Sequence, residues 1–230
     1  MTKTKLYSLI LISGLIIIGG LYAKRKFYDP KRQLENASKE VKILSDSNKI
    51  KNGDIVFQTS LSTQSKAIQL ATHSKYSHCG MIFNLDSAKD NWYVIEAVQP
   101  VKWTRLDKWI SKGEGGHYVI KRVMTDPPLP DDMLKELKTI AEKFVGKDYD
   151  MYFDWSDDKI YCSELVWKSY HQLIGLDVGK LQQLKELDLT SEQVKTKMKQ
   201  RYGDKIPLDE KVITPASIFA SDLLKTIDEK

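Results

Sequence analysis

Two short apolar runs on either side of a polar loop limit what this chain can fold into more than any other feature. His78-Cys79-Gly80-Met81-Ile82-Phe83 and Trp92-Tyr93-Val94-Ile95-Glu96-Ala97-Val98 are rich in β-branched and aromatic residues, and Asn84 to Asn91 between them is polar, so both runs read as strands. An antiparallel hairpin with its loop centred on Ser87 pairs residues whose numbers sum to 174. That register sets His78 opposite Glu96, Gly80 opposite Val94 and Ile82 opposite Trp92. Opposite Cβ atoms lie roughly 4.5–5.5 Å apart, within reach of an imidazole–carboxylate hydrogen bond. Both faces of the second run are apolar, so Glu96 is expected to be part-buried and to need a partner; the competing reading is an edge-strand glutamate facing water. Alternation turns Cys79 to the face away from His78, where it packs in a core.

The rest of the chain supplies strands and helices to go with this hairpin. Asn52-Gly53-Asp54 is a turn that opens a strand at Ile55-Val56-Phe57, and Ser62 to Thr72 is a short helix. Leu106, Trp109 and Ile110 give a helical turn, Gly113 to Gly116 a loop, and His117 to Val123 a strand. Asp126-Pro127-Pro128-Leu129-Pro130 breaks the chain before a helix with Asp131 or Asp132 as N-cap. Its apolar stripe is Leu134, Leu137, Ile140, Ala141, Phe144 and Val145, and Gly146 stops it. Leu176 to Gly203 reads as a solvated helical excursion, and Ile213 to Phe219 as a strand end and a helix started by Pro215.

From Leu6 to Ala23 the chain is almost wholly apolar and carries no charge. A run of that length suffices to cross a bilayer core as a helix. A cleavable signal peptide is the rival reading, but Leu21-Tyr22-Ala23 puts a large residue where a small one is wanted, and Lys24-Arg25-Lys26 follows at once. The expected organisation is an uncleaved membrane anchor over residues 1–26, a linker with a short helix over 27–51, and a folded domain over 52–230. The side of the membrane is left open by the flanking charges. Of the net charge of +5, residues 1–32 carry +6, from seven cationic residues against Asp29 alone, which leaves −1 on the remainder. A near-neutral domain gives no support to nucleic-acid binding, whose footprint is a basic face. Two cysteines, Cys79 and Cys162, exclude a disulfide scaffold.

Cys162 stands where the acidic loop Asp154 to Asp158 has given way to a helical pattern of Leu165, Val166, Ser169, Tyr170, Leu173 and Ile174, closed by Gly175. At a helix start, oriented N–H groups favour a thiolate, so a cysteine there can act as a nucleophile; the plainer reading is a buried small apolar residue. A nucleophilic thiol needs a base and a group to orient that base. Cys162, His78 and Glu96 fill these places in order, and a Cys162 that faces His78 argues against a disulfide to Cys79. Tyr161, Tyr149, Tyr152 and Trp155 are candidate walls of a substrate cleft, with core packing as the alternative. A zinc site from His73, His78 and Cys79 is disfavoured, because the last two are adjacent strand residues on opposite faces. His117 and His171 read as surface or packing residues, and no metal or cofactor is called for.

The motifs Gly53-Asp54-Ile55-Val56-Phe57, Ser77-His78-Cys79-Gly80-Met81-Ile82, Val94-Ile95-Glu96-Ala97, Gly146 with Tyr149-Asp150, Tyr161-Cys162-Ser163-Glu164-Leu165-Val166 and Thr214-Pro215 occur in this order. In this the chain resembles the permuted papain-like cysteine hydrolases of the YiiX and YaeF group, related to the NlpC/P60 peptidases and to lecithin–retinol acyltransferase-like proteins. The histidine precedes the cysteine, the reverse of papain. The resemblance implies a permuted papain-like α+β fold and a Cys–His–polar triad that hydrolyses an amide or ester, with Cys162 as nucleophile, His78 as base and Glu96 as the third member. The expected substrate is a peptide-like or lipid amide or ester. An acyltransferase sharing the same acyl-enzyme, and a catalytically silent binding module of the same fold, are the alternatives. Oligomeric state is not legible.

Overall fold

The computed structural model describes residues 29–86 and 91–230. The apolar run Leu6 to Ala23, and the loop residue Ser87 on which the hairpin register is centred, lie outside the described residues. Among the described residues no helix is long and apolar enough to cross a membrane.

Helix α1 (Asp29–Asp46) comes first, followed by strand β1 (Ile55–Gln58), helix α2 (Thr63–Thr72), and strands β2 (His78–Asn84), β3 (Trp92–Glu96) and β4 (Lys102–Arg105). Helix α3 (Leu106–Lys112), strand β5 (Val119–Val123) and helix α4 (Asp131–Glu142) follow. The short strands β6 (Asp148–Tyr149) and β7 (Lys159–Ile160) lead into α5 (Cys162–Ile174). The chain closes with β8 (Gln182–Gln183), α6 (Glu192–Tyr202), β9 (Lys211–Val212), α7 (Pro215–Phe219) and β10 (Leu224–Glu229). A six-stranded antiparallel sheet in the order β10-β5-β1-β2-β3-β4 is the centre of this α+β fold.

Strand alternation sorts the core into two layers. Ile55, Phe57, Cys79, Met81, Phe83 and Ile95 face α4 and α5, whose Leu137, Ala141, Leu165, Val166 and Tyr170 pack on them. Val56, Ile82, Val94 and Ile120 face the other way, onto α1 and α3, through Ala37, Leu44, Leu106 and Trp109. Where the sequence reads as a linker with a short helix, residues 29–46 form one 18-residue helix, held on the sheet by Ala37 and Leu44, one heptad apart. The Leu176 to Gly203 excursion is not merely solvated. Val194 and Met198 of α6 are buried with Leu184 and Val212, against Ala67, Leu70 and Ala71 of α2.

The acids at the start of α4 lie inside its first turn, and extended Pro130 is the N-cap. There they interact with the helix dipole rather than bond to the free N–H groups. The turn Gly53-Asp54 has a structural role. Gly53 has φ +84°, and a Cβ there would crowd Leu134 and Tyr170. Asp54 is fully buried and accepts two hydrogen bonds from Arg122, at 2.6 and 2.8 Å, which tie the start of β1 to β5.

Candidate active site

The end of the sheet opposite Asp54 is where β1 stops, β2 starts and β3 stops. His78 is the first residue of β2 and Glu96 the last of β3. The hairpin register differs from the expected one by two residues. Ile82 pairs with Val94 and Asn84 with Trp92, so paired numbers sum to 176. The loop closes on a hydrogen bond from Leu85 N–H to Asn91 C=O, one residue beyond the expected centre. Glu96 therefore continues the ladder beside Gly80, not directly opposite His78. A slip of two leaves every side chain on its face, and the two groups meet along the diagonal, with His78 Nε2 to Glu96 Oε2 at 2.6 Å. Glycine is required at the crossing: a Cβ at Gly80 would lie 2.5 Å from Val94 Cγ1 and 2.7 Å from the Ile95 carbonyl oxygen.

Both partners are fixed from behind. The second carboxylate oxygen of Glu96 accepts a 2.6 Å hydrogen bond from Thr104 Oγ1 on β4. The His78 ring stacks on the indole of Trp109, centroids 5.8 Å apart and planes 24° apart. With Nε2 committed to Glu96, Nδ1 is the nitrogen left for another partner.

That partner is Cys162. As the first residue of α5, after Tyr161 as N-cap, it places its side chain at the helix end that carries positive dipole. The thiol is buried and interacts electrostatically with the His78 imidazole and with Cys79. Cys79 does occupy the face away from Trp109, as alternation requires. That is the face on which α5 packs, so the nucleophile candidate rises between Cys79 and the ring of His78, in contact with both, and not against His78 alone. Both cysteines are free thiols.

The electrostatics follow from these contacts. Contact with the Cys79 thiol, and then with His78, holds Cys162 well below the usual thiol pKa against the effect of burial. Burial alone would depress His78, but its interactions with Cys162 and Glu96 raise it to about 10. Burial would raise Glu96, yet His78 and Thr104 keep it below the ordinary glutamate value. Cys79, dominated by burial and facing a thiolate neighbour, is pushed well above the thiol range. The favoured state is thus a Cys162 thiolate beside a His78 imidazolium, with Cys79 as a neutral donor.

Tyr161 is buried, and its hydroxyl accepts the Ile213 N–H at 3.0 Å while its ring meets Phe153 edge-on. Tyr149 accepts a hydrogen bond from Gln64 Nε2 at 3.1 Å. Gln64 and Tyr149 line both an apolar chamber that contains Cys162 and Tyr161 and a more polar cleft that contains His78 and Glu96. Tyr152 is half exposed, with its ring against Tyr202, and Trp155 packs on Trp167, so neither lines the chamber. His73 pairs with Asp188, away from His78. Thr104 is the site residue that pattern reading misses; its only sequence signal is a hydroxyl at alternating distance from exposed Lys102, on a strand too short to show a period.

A thiol at a helix start, an imidazole on the adjoining strand and an acid behind that imidazole, with the histidine earlier in the chain, define a papain-like cysteine hydrolase of permuted order. The profile of the family described as permuted papain-like amidase enzyme, YaeF/YiiX, C92 family, matches residues 49–228, and the chain belongs to that family. It is accordingly a cysteine amidase or peptidase-type hydrolase. A relative, "Uncharacterized protein YiiX" of Escherichia coli K12, is 50% identical over 175 residues, which cover 76% of this chain and 84% of the relative. The crystal structure of metalloprotein yiiX from Escherichia coli O157:H7, DUF1105, superposes with a TM-score of 0.73 at 48% identity, and the match covers 78% of this chain and 97% of that one.

Proposed function

We propose that this chain is a membrane-anchored hydrolase that cleaves an amide (peptide-like) or ester bond through an acyl-enzyme on Cys162. The observation that carries the reading is the hydrogen-bonded series His78, Glu96, Thr104, with the buried thiol of Cys162 at the start of α5 interacting with the imidazole. The Cys162 thiolate attacks the scissile carbonyl and forms a C–S bond. The oxyanion is stabilised by the backbone N–H of Cys162, one of the first-turn donors that a helix leaves without an internal partner. Collapse breaks the C–N or C–O bond, and the leaving group takes the proton of the His78 imidazolium. Water then adds to the thioester, giving a proton to His78, and expulsion of the thiolate releases the acid. Glu96 holds the ring and its charge through both halves, and Tyr149 and Tyr161 border the substrate.

Anchoring is attributed to Leu6 to Ala23, uncharged and flanked by lysine and arginine. The similar protein from Escherichia coli O157:H7 is described as a metalloprotein. Among the described residues here no three His, Cys, Asp or Glu side chains are grouped to hold a metal ion. Brief exposure of the full chain to cell-wall and lipid extracts, followed by acid quench and peptide mass spectrometry, tests the proposal. An acyl adduct on Cys162 that is absent from His78→Ala is the expected result, whereas no adduct under any substrate load contradicts it.

A further inference from the structure

Beside Cys162 the chamber is apolar, but its rim carries two cations. Val194 and Met198 of α6 point into it, four residues apart. Lys197 and Arg201, also four apart, line it from the neighbouring row of the same helix and are half-buried. Like charges at that spacing repel, and desolvation adds to the cost. Other lysines of this region have acids: Lys195 pairs with Glu192 and Lys185 with Asp209. Neither Lys197 nor Arg201 has an ion-pair partner among the described residues. The Arg201 guanidinium lies 4.5 Å from the Phe153 ring centroid, and that ring touches Tyr161, the residue before Cys162. The charge is therefore two ring contacts from the reacting sulfur.

The chamber volume is about 80 Å³. An apolar cavity of about 150 Å³ takes up a benzene molecule, so the space here suits a short aliphatic group and not a long acyl chain. We infer that the acyl half of the substrate carries a short apolar group that fills this chamber and an anionic group held by Lys197 and Arg201. The inference rests on the acyl-enzyme reading and narrows it from amides and esters in general to compact, anionic, peptide-like acyl donors.

Binding to the full-length Cys162→Ala chain tests this without requiring a reactive thiol. Calorimetric titration with 3-methylbutanoate and with 3-methylbutanol, equal in carbon skeleton, reads the anion; titration with hexadecanoate reads the size limit. The carboxylate is expected to bind about tenfold tighter than the alcohol, a difference of about 1.4 kcal/mol, and hexadecanoate not to saturate. Lys197→Gln with Arg201→Gln should remove the tenfold preference, and Lys199→Gln on the exposed side of α6 should preserve it. Equal affinity for acid and alcohol, a preference that survives the double substitution, or tight binding of hexadecanoate would overturn the inference. Slow alkylation of wild-type Cys162 would instead count against the hydrolase reading, with the binding result left standing.

Discussion

The two ends of the central sheet each bury a carboxylate against a base, and they differ in one respect. At one end Asp54 is clamped by Arg122, a permanent cation that also donates to the Lys49 carbonyl. Burial still lifts the Asp54 pKa although Arg122 pulls it down, so the pair does not fully recover its desolvation cost. At the other end Glu96 is held below its ordinary value by His78, a base that can give up its proton, and the free face of that base meets a thiol. A fixed charge makes a fastening; a titratable one with a third partner is suited to the proton transfers proposed for His78.

That comparison can be broken at either end. Removing the thiol should act on turnover alone: Cys162→Ala is expected to cost about 10⁴-fold or more in kcat/KM, with the denaturation midpoint close to wild type. His78→Ala should cost as much in kcat/KM and also lower stability, because it leaves the buried Glu96 without its partner. Arg122→Leu should do the reverse of Cys162→Ala. It leaves Asp54 buried without its cation, and a loss of about 3–5 kcal/mol of stability is expected in urea unfolding, with the alkylation rate of the remaining folded protein unchanged. A third variant, Glu96→Gln, should lower kcat/KM by about 10²-fold. The sign of its pH effect follows from the raised pKa of His78. The imidazolium persists up to about pH 10 in the wild type, and loss of the neighbouring anion lowers that pKa, so the alkaline limb of the rate profile should move to lower pH. The smallest effect is expected for Thr104→Val. It removes one hydrogen bond to the Glu96 carboxylate and should reduce kcat/KM about two- to tenfold. The carboxylate keeps its charge and becomes a stronger acceptor for His78, so the alkaline limb should move slightly to higher pH, opposite in direction to Glu96→Gln. A Thr104→Val variant that loses stability but keeps its pH profile would assign the residue to packing only.

That Cys162, His78 and Glu96 come together was legible in the sequence because each opens or closes a strongly patterned element. His78 starts an apolar strand, Glu96 interrupts another, and Cys162 starts the helical stripe of α5. The exact pairing of the strands was not legible, since it depends on which backbone pair closes the loop, and Leu85 with Asn91 outcompetes the symmetric choice. Period 2 protected the conclusion from that error. Cys79 illustrates a different limit: alternation gave its face, but only the packing of α5 on that face brings it next to Cys162. Edge strands β4 and β10 were hidden by their charged, half-exposed composition. Within α6 the lysine density masks the four-residue spacing of Val194 and Met198, and with it the chamber beside the nucleophile.

The central claim is that Cys162 exists as a thiolate paired with the His78 imidazolium at neutral pH. Its most direct test is the rate of iodoacetamide alkylation of Cys162, located by peptide mass spectrometry, as a function of pH. The wild-type chain is expected to alkylate rapidly and almost independently of pH across the neutral range, and His78→Ala to show a rise displaced to higher pH, toward the free-thiol value of about 8.5. A wild-type profile that already follows the free-thiol titration, unchanged by the loss of His78, would contradict the account.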